Sequence, residues 1–490
     1  MSQITLSARP TESFTDSLSK LLLVDETSGR KPKTVARLSD WAYLEHAIFR
    51  MLCGWCRHTT DWDDKQAWFK HIWESAESVH KLRQRAIEFP GTSGNLDAPV
   101  SAKLERLANT VLLAPSYEDA VDGIYDVLLP ALNRSYQDYG ARANPIHDAP
   151  TLSTLHDVLG YKNGMRLWIR DYRRRVPHTT DATYKAAIEA QIQNCGELLR
   201  ALPVESDDKA APCGVNTDFR LLVQAARPAN AKPFSHNLYA LVRADVAHSI
   251  ESRRLFWCLG YMLENGLPED QAIWIWTGHF MPFEWQRDIA RHLWDEARHG
   301  DSGLSRLKDF GISLDEIGWS ARVSGEVDEE RNARRTPEEL AAGKRFMRPQ
   351  TRRELYEYVR MIGMHAETGH FAVKTEAYND FRDGGDLESA EMMLFDIIDE
   401  NQHVQYAHNW LPLLAQFADM EGDDFKAWGE KSRREAKEKM RHWLETDARN
   451  LDRSSDNPDF ALYQQFLARM RQIKPLSNAD SCPPRSHLPM

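Results

Sequence analysis

The sequence predicts an all-α protein made of two helical bundles in tandem. Apolar residues recur every three or four positions along most of the 490-residue chain, which is the period of an amphipathic helix. Alternating runs rich in β-branched residues, which would indicate strands, are few. Two similar segments support the tandem arrangement, because residues 44–55 match residues 250–261 position by position.

The helical period and the turn residues that interrupt it identify the candidate helices in order. The helices predicted in the first half are Leu38–Arg57, Lys65–Glu88, Ser101–Leu113, Tyr117–Gly140, Thr151–Arg174 and Thr183–Leu202. The helices predicted in the second half are Leu238–Asn265, Pro268–Thr277, Pro282–His299, Arg352–Phe381, Glu388–Phe417 and Phe425–Leu451.

A segment rich in Pro, Ala, Asp and Asn marks the predicted domain boundary. We expect a helical domain over residues 1–202, a linker over 203–235, a second helical domain over 236–451 and a C-terminal extension over 452–490. A length of 490 residues is consistent with two or three domains.

The composition is that of an ordinary globular chain and argues against several classes of protein. Hydrophobic residues make up 42% and charged residues 28%, and no run of about 18 apolar residues offers a membrane span. The N-terminus lacks the basic and apolar segments of a secretory signal, so we expect a cytoplasmic protein. The net charge of −11 disfavours nucleic acid as a partner, because phosphate contacts need a basic face.

The second half carries Glu and His at a spacing suited to metal binding. Two Glu-x-x-His pairs occur, Glu296 with His299 and Glu400 with His403. Residues three apart on a helix project from one face, so the carboxylate can bridge two metal ions while the imidazole binds one of them. A single such pair arises easily by chance, but two in one predicted bundle indicate a site.

Two further carboxylates, Glu251 and Glu367, each precede one of these pairs on a separate predicted helix. The 33 residues between Glu367 and Glu400 are what two antiparallel helices of about 15 residues and a short connection require. The order of these groups is the one that a four-helix dimetal carboxylate site needs.

On these residues the second half resembles the ferritin-like superfamily of nonheme dimetal carboxylate proteins, whose pattern is Glu, Glu-x-x-His, Glu, Glu-x-x-His. The resemblance implies two bound iron ions, with manganese left open, and a site that binds and reduces O2. The ligand roles it implies are bridging carboxylates at Glu296 and Glu400, terminal carboxylates at Glu251 and Glu367, and nitrogen ligands at His299 and His403.

Two more histidines, His248 and His370, each share a helix face with a proposed ligand. By the same resemblance His370 is a candidate third nitrogen ligand, as in the arylamine N-oxygenases of the superfamily. The alternative for both is a hydrogen bond to a ligand carboxylate.

The first half keeps Glu45, Glu77 and His80 but lacks a second Glu-x-x-His pair. We therefore expect a degenerate copy that supports the second domain. Metal binding by these three residues is left open.

The resemblance implies an O2-activating di-iron oxidase or oxygenase that hydroxylates, desaturates or N-oxygenates a small organic molecule. Its expected partners are O2, that substrate and an external electron donor, because no Gly-rich nucleotide-binding motif precedes a helix. A homodimer is left open. The alternatives are a metal-storage or metal-sensing protein, and a structural helical protein whose Glu and His residues only form buried ion pairs.

Overall fold

The computed structural model describes residues 34–89, 102–196, 218–219, 221, 225–228, 231–319, 351–419, 434 and 451–472. Within these ranges the chain is helical and forms no strand, apart from an isolated parallel bridge between Pro233 and Trp319. The all-α prediction is confirmed. The tandem relation between two similar bundles stays a prediction.

The chain divides into two compact units. Unit 1 comprises Met1–Trp55, His71–Leu221 and Pro282–Arg287, and unit 2 comprises Cys56–Lys70, Leu222–Met281 and Asp288–Met490. Each unit therefore draws on both halves of the sequence. No helix in the described ranges has the length and apolar character needed to cross a membrane.

The helices of the first half begin and end within about four residues of the predicted positions, except that the last one ends at Asn194 and not at Leu202. They are α1 (Thr34–Trp55), α2 (Trp62–Ile87), α3 (Ala102–Leu112), α4 (Tyr117–Val121), α5 (Leu129–Arg142), α6 (Ala149–Arg175) and α7 (Ala182–Asn194). A π-helical turn, Asp122–Leu128, joins α4 to α5 inside the segment predicted as one helix. Ser116 begins α4, because its side chain accepts a hydrogen bond from the Asp119 backbone N–H.

The second half is also helical, and its helices are interrupted at different positions. Its helices are α8 (His236–Ala244), α9 (Ile250–Glu264), α10 (Leu267–Thr277), α11 (Phe283–Asp309), α12 (Leu314–Ile317), α13 (Arg352–Met361), α14 (Glu367–Asp383), α15 (Leu387–Phe417) and α16 (Pro458–Gln472). A π-helical turn, Ile362–Ala366, joins α13 to α14. The predicted helix Phe425–Leu451 lies outside the described residues, except at two single positions.

The segment predicted as one helix over Leu238–Asn265 is two helices, so that prediction is wrong. Ser249 caps the N-terminus of α9 by accepting a hydrogen bond from the Ser252 backbone N–H. Asp245 ends α8, and its carboxylate accepts hydrogen bonds from Arg453 and Tyr463. The Ser249 cap satisfies one backbone N–H that the break leaves without a helical partner, and the bonds to Asp245 hold the end of α8 in place.

Helix α9 packs closely on α11 in unit 2. A Cβ atom at Gly303 of α11 would lie 2.6 Å from the Cys258 carbonyl oxygen and 2.9 Å from the Met262 backbone nitrogen. Only glycine permits this approach, because any side chain would meet the α9 backbone. Apolar side chains bury the rest of the contact, including Leu255, Leu259, Leu304 and Leu307.

The opposite side of α9 packs on the antiparallel pair α14 and α15. Trp257 and Tyr261 of α9 contact a buried cluster from the other two helices, which contains Ala377, Phe381, Ala390 and Met393. The turn between α14 and α15 includes Gly385 at φ 78°, a left-handed conformation that glycine adopts without strain. Four helices of unit 2 therefore share one buried interior.

Candidate metal centre

Helices α9, α11, α14 and α15 direct carboxylate and imidazole groups into the interior of unit 2. These residues form two groups. Within each group, the possible ligand atoms lie within 4.8 Å of one another. We name them position A and position B. Position A consists of His292, Glu296, Glu367 and His403, and position B consists of Glu264, Glu296 and His299.

Position A places one carboxylate between two imidazoles. The Glu367 oxygens lie 3.0 Å from His292 Nε2 and 3.1 Å from His403 Nδ1. His292 Nε2 also lies 3.0 Å from Glu296 Oε1, and the His292 and His403 rings stack with centroids 3.6 Å apart. All four side chains are buried. Two nitrogens and two carboxylates around one point form a common transition-metal donor set.

Position B shares Glu296 with position A. His299 Nδ1 lies 3.7 Å from Glu296 Oε2 and 3.8 Å from Glu264 Oε2. Glu296 therefore turns Oε1 towards position A and Oε2 towards position B. This is the arrangement that a carboxylate adopts when it bridges two metal ions.

Two aspartates orient the imidazoles from outside. His403 Nε2 lies 3.3 Å from Asp295 Oδ2, and His299 Nε2 lies 3.3 Å from Asp399 Oδ2. Arg298 contacts both aspartates. We assign the ring proton of each histidine to Nε2, because that nitrogen faces a carboxylate, and this leaves the Nδ1 lone pair directed at the cluster.

Several buried polar atoms of the cluster lack a hydrogen-bond donor within the described part of the chain. They are Glu264 Oε2, both carboxylate oxygens of Glu367, Asp396 Oδ1, Glu400 Oε2 and His403 Nδ1. Buried polar atoms are nearly always satisfied, because an unpaired one is costly. All of these atoms are good ligands for a divalent cation, so the residues present fit a metal centre.

The charges of the cluster also fit two divalent ions. Five carboxylates, Glu264, Glu296, Glu367, Asp396 and Glu400, face one buried ammonium, that of Lys374. All of them are buried except Glu264, whose side chain is 25% exposed. When all are ionised the net charge is four negative, and two divalent ions neutralise it. Arg291 and Arg298 balance the flanking aspartates Asp295 and Asp399.

Without cations the cluster tends to hold protons instead. Burial, and then the neighbouring Glu296 carboxylate, raise the pKa of Glu264 to about 8. Burial alone would lower the pKa of His292, but the Glu367 and Glu296 carboxylates more than offset this effect and raise the pKa to about 10. A metal ion that binds here displaces such protons.

Four of the predicted ligands come together in these two groups, namely Glu296, His299, Glu367 and His403. Glu251 does not join them. It lies in the first turn of α9, 13 residues before Glu264 and therefore about 20 Å away along the helix axis. The helix α9 supplies Glu264 in its place.

The other predicted site residues lie outside the two groups. Glu400 is buried, but its carboxylate contacts Lys374 and forms no ion pair with an imidazole in the described ranges. His248 and His370 are exposed on the surface. The third imidazole of the cluster is His292, not His370.

Sequence reasoning missed Glu264 and His292, although both leave a signal. Glu264 precedes Glu296 by 32 residues, which is the spacing of Glu45 and Glu77 in the first half. His292, Glu296 and His299 lie at positions i, i+4 and i+7, which share one face of a helix. No comparable sequence spacing indicates that Glu367 is buried. Glu367 follows a π-helical turn, which changes the direction in which the next residues of the helix project.

The residues kept in the first half are engaged by other protein groups. Glu45 accepts hydrogen bonds from Tyr136 at 2.8 Å and from the buried Lys162 ammonium at 2.6 Å. Glu77 accepts one from Arg287 at 2.5 Å, and His80 is half-buried. No metal-suited group found in the described residues includes them. Unlike Glu367, Glu45 already has a donor on each oxygen.

One more group in unit 1 has metal-suited residues, Asp119, Asp122 and His178. Its carboxylates are bound by other donors. Asp119 accepts hydrogen bonds from Ser116 and the Asp181 backbone N–H, while Asp122 contacts Thr180 and Arg173. These contacts connect α4 to the segment before α7. They give Asp119, Asp122 and His178 a structural role.

Fold and site together define an all-α protein with buried His, Glu and Asp groups that could hold metal ions. Comparison with protein-family models, with curated proteins and with solved structures found no match to this chain. The geometry of unit 2 is therefore the basis for a functional assignment.

Proposed function

We propose that unit 2 binds two divalent metal ions, one at each position, and that the protein uses them to activate O2. The observation that carries the proposal is that six buried ligand atoms without a hydrogen-bond partner among the described residues occur together in this one cluster. A purely structural network of ion pairs would pair these atoms with cations. In the described ranges Lys374 is the one Lys or Arg that contacts these five carboxylates, and the imidazoles that also face them are themselves metal-binding groups.

Iron is the leading candidate for both ions, and manganese is the alternative, because mixed imidazole and carboxylate sites accept either. A reduced pair of such ions supplies open coordination positions and the electrons for O2 reduction. The chain itself would supply the bridging carboxylate Glu296, the terminal carboxylates Glu264 and Glu367, and the imidazoles of His292, His299 and His403, of which the last two have their tautomers fixed by aspartates. All of these ligands except the partly exposed Glu264 are buried, which limits the access of bulk water to the centre.

The reaction we propose is oxidation of a small organic molecule, by hydroxylation, desaturation or N-oxygenation, with electrons from an external donor. The size of the chain supports this over metal storage, because a compact bundle suffices for storage and this protein contains a second helical unit. The location in the cell stays a prediction.

The test is anaerobic reconstitution of the full chain with Fe(II), followed by elemental analysis and by measurement of O2 uptake. We expect about two irons per chain and rapid O2 consumption with iron oxidation. Glu296→Gln should lose both ions, because both positions share this carboxylate. Glu251→Gln serves as the matched control on α9 and should bind two.

Three outcomes would contradict the proposal in different ways. A wild-type protein that binds no metal would make the cluster a structural ion-pair network. Iron uptake far above two per chain would favour the storage alternative. Two bound ions that do not react with O2 would favour a metal sensor.

A further inference from the structure

Position B has one protein ligand fewer than position A as described so far. Glu264, Glu296 and His299 supply three side chains, whereas position A has four. Transition-metal sites in proteins usually hold four or more ligands, of which open catalytic sites keep at least three from protein. A fourth protein group beside His299 would make the two positions equivalent.

Asp396 of α15 offers that group. Its carboxylate is almost fully buried, and Oδ1 lies 3.4 Å from His299 Nδ1, closer than either Glu264 or Glu296. Oδ1 has no hydrogen-bond donor in the described part of the chain. It is therefore a free ligand atom directed at position B.

The other oxygen of the same carboxylate is fully engaged. Asp396 Oδ2 accepts a hydrogen bond from the Tyr261 hydroxyl at 2.6 Å and lies 2.6 Å from Lys374 Nζ. Both donors are buried. Two donors on one oxygen fix the orientation of the carboxylate and leave Oδ1 to face the cluster.

We propose that Asp396 is the fourth protein ligand of position B and that Tyr261 and Lys374 are positioning residues for it. This inference rests on the proposed dimetal site. The sequence analysis predicted a ligand from this helix one turn later, at Glu400, and gave it a bridging role. Glu400 also contacts Lys374 but forms no ion pair with His299 in the described ranges.

The experiment is titration of the metal-free full chain with Co(II), monitored by its visible absorption bands and by equilibrium dialysis. We expect wild type to bind two ions. Asp396→Asn should keep the first binding step and weaken the second at least tenfold, since only position B loses a charged ligand. Glu391→Gln, on the exposed face of the same helix, should bind two ions as wild type does.

The variant Tyr261→Phe tests the positioning of Asp396 separately from effects on folding. It removes one donor from Asp396 Oδ2 without changing a charge, and loss of such an outer hydrogen bond weakens metal binding about 10- to 100-fold. We expect the second binding step to weaken within that range, with altered Co(II) bands for position B and unchanged bands for position A. Trp257→Phe, which replaces the aromatic neighbour of Tyr261, should leave both steps unchanged.

The outcomes distinguish this inference from the proposed function. Wild type without bound Co(II) would overturn both. Two ions in wild type and an unchanged second step in Asp396→Asn would overturn the ligand assignment alone. If Asp396→Asn does not fold, as judged by circular dichroism, an unchanged second step in Tyr261→Phe overturns the inference instead.

Discussion

At the scale of single residues, Asp295 shows how the site controls its own ligands. It lies between Arg291 and Arg298 on α11 and faces His403 Nε2 across the cluster. The paired positive charges and hydrogen bonds keep the pKa of Asp295 well below its ordinary value, even though burial acts in the opposite direction. The carboxylate is therefore available as an acceptor for the imidazole N–H at all ordinary pH values.

Replacing Asp295 by Asn should loosen His403 without removing it. The amide is neutral and can present an N–H to the ring, which disfavours the Nε2–H tautomer that leaves Nδ1 free. We expect metal affinity at position A to fall about 10- to 100-fold, measured by Co(II) titration. Asp309→Asn, at the exposed end of the same helix, is the control and should bind as wild type. Equal affinities in both variants would contradict this role.

Three of the six residues at positions A and B could be predicted from residue types and spacing. Glu296, His299 and His403 follow from the Glu-x-x-His pattern, because that spacing alone places both groups on one helix face. Glu251 was predicted as a ligand because it matches Glu45 in a local alignment, and Glu264 was not considered. Local sequence similarity between two helices does not show which helical turn lies level with the site.

At the scale of secondary structure elements, the glycine contact between α9 and α11 sets the distance between Glu264 and the ligands of α11. Gly303 lies one turn beyond His299, and its missing side chain lets the two backbones approach. The helix pair is therefore fixed near the point where position B is assembled.

Gly303→Ala should destabilise unit 2 and separate these two helices. The added methyl group would lie 2.6 Å from a backbone oxygen that cannot move independently, and such overpacking costs about 1–3 kcal/mol. Thermal or urea unfolding measures the loss, and metal titration should show a weaker second binding step. The control is Gly369→Ala on α14, where a methyl group meets no atom within 4 Å. We expect that variant to be as stable as wild type or up to about 1 kcal/mol more stable.

Helix α10 carries a buried ion-pair network outside the two metal-suited positions. Glu269 contacts Lys65 and accepts two hydrogen bonds from Arg227, at 3.0 and 3.1 Å. Burial would raise its pKa, but Arg227 and Lys65 more than offset this effect and lower the pKa to about 2. The ionised carboxylate is thus strongly favoured in the folded protein.

Glu269→Gln should destabilise the protein by about 3–5 kcal/mol at pH 7, because it leaves buried cations without their partner. A lowered pKa stabilises the fold above the unfolded value of about 4.3, and the effect is lost as pH falls towards 2. The difference between variant and wild type should therefore shrink between pH 5 and pH 2 in urea unfolding, as an approximate range. Glu357→Gln, which breaks an exposed pair with Arg353, should change stability by less than about 0.5 kcal/mol.

Helix positions were largely predictable, whereas two local features were not. The break between α8 and α9 is accompanied by the cap at Ser249 and by contacts from Arg453, which is 208 residues beyond Asp245 in the chain. The π-helical turn before Glu367 interrupts a segment with ordinary helical periodicity. Both depend on tertiary contacts, which hydrophobic periodicity does not encode.

At the scale of the whole molecule, the negative charge of the cluster links metal binding to stability. Ions that bind the folded state alone stabilise it, by about 2.7 kcal/mol at a free concentration of 100 times the Kd. The ligands belong to unit 2, so the effect should be confined to that unit. Unit 1 is then an internal reference within the same chain.

Hydrogen exchange with peptide-level mass spectrometry checks this expectation. Mn(II) added to the metal-free protein should slow exchange in peptides of α9, α11, α14 and α15. Peptides of α3 and α7 in unit 1 should exchange at unchanged rates. Glu296→Gln should show no change with metal in either unit. Protection that appears equally in both units would indicate that the ions bind elsewhere or that the units unfold together.

The sequence separation of the ligands has a consequence for how the protein matures. Glu264 and His403 are 139 residues apart, and the site is complete only when four helices have docked. Closing a chain segment of that length carries a large entropic cost, so the ligands are expected to meet late in folding. The ions would then enter a nearly finished and buried interior, which requires a local opening of unit 2. The amount of active protein in a cell would follow the metal supply during maturation rather than the rate of synthesis.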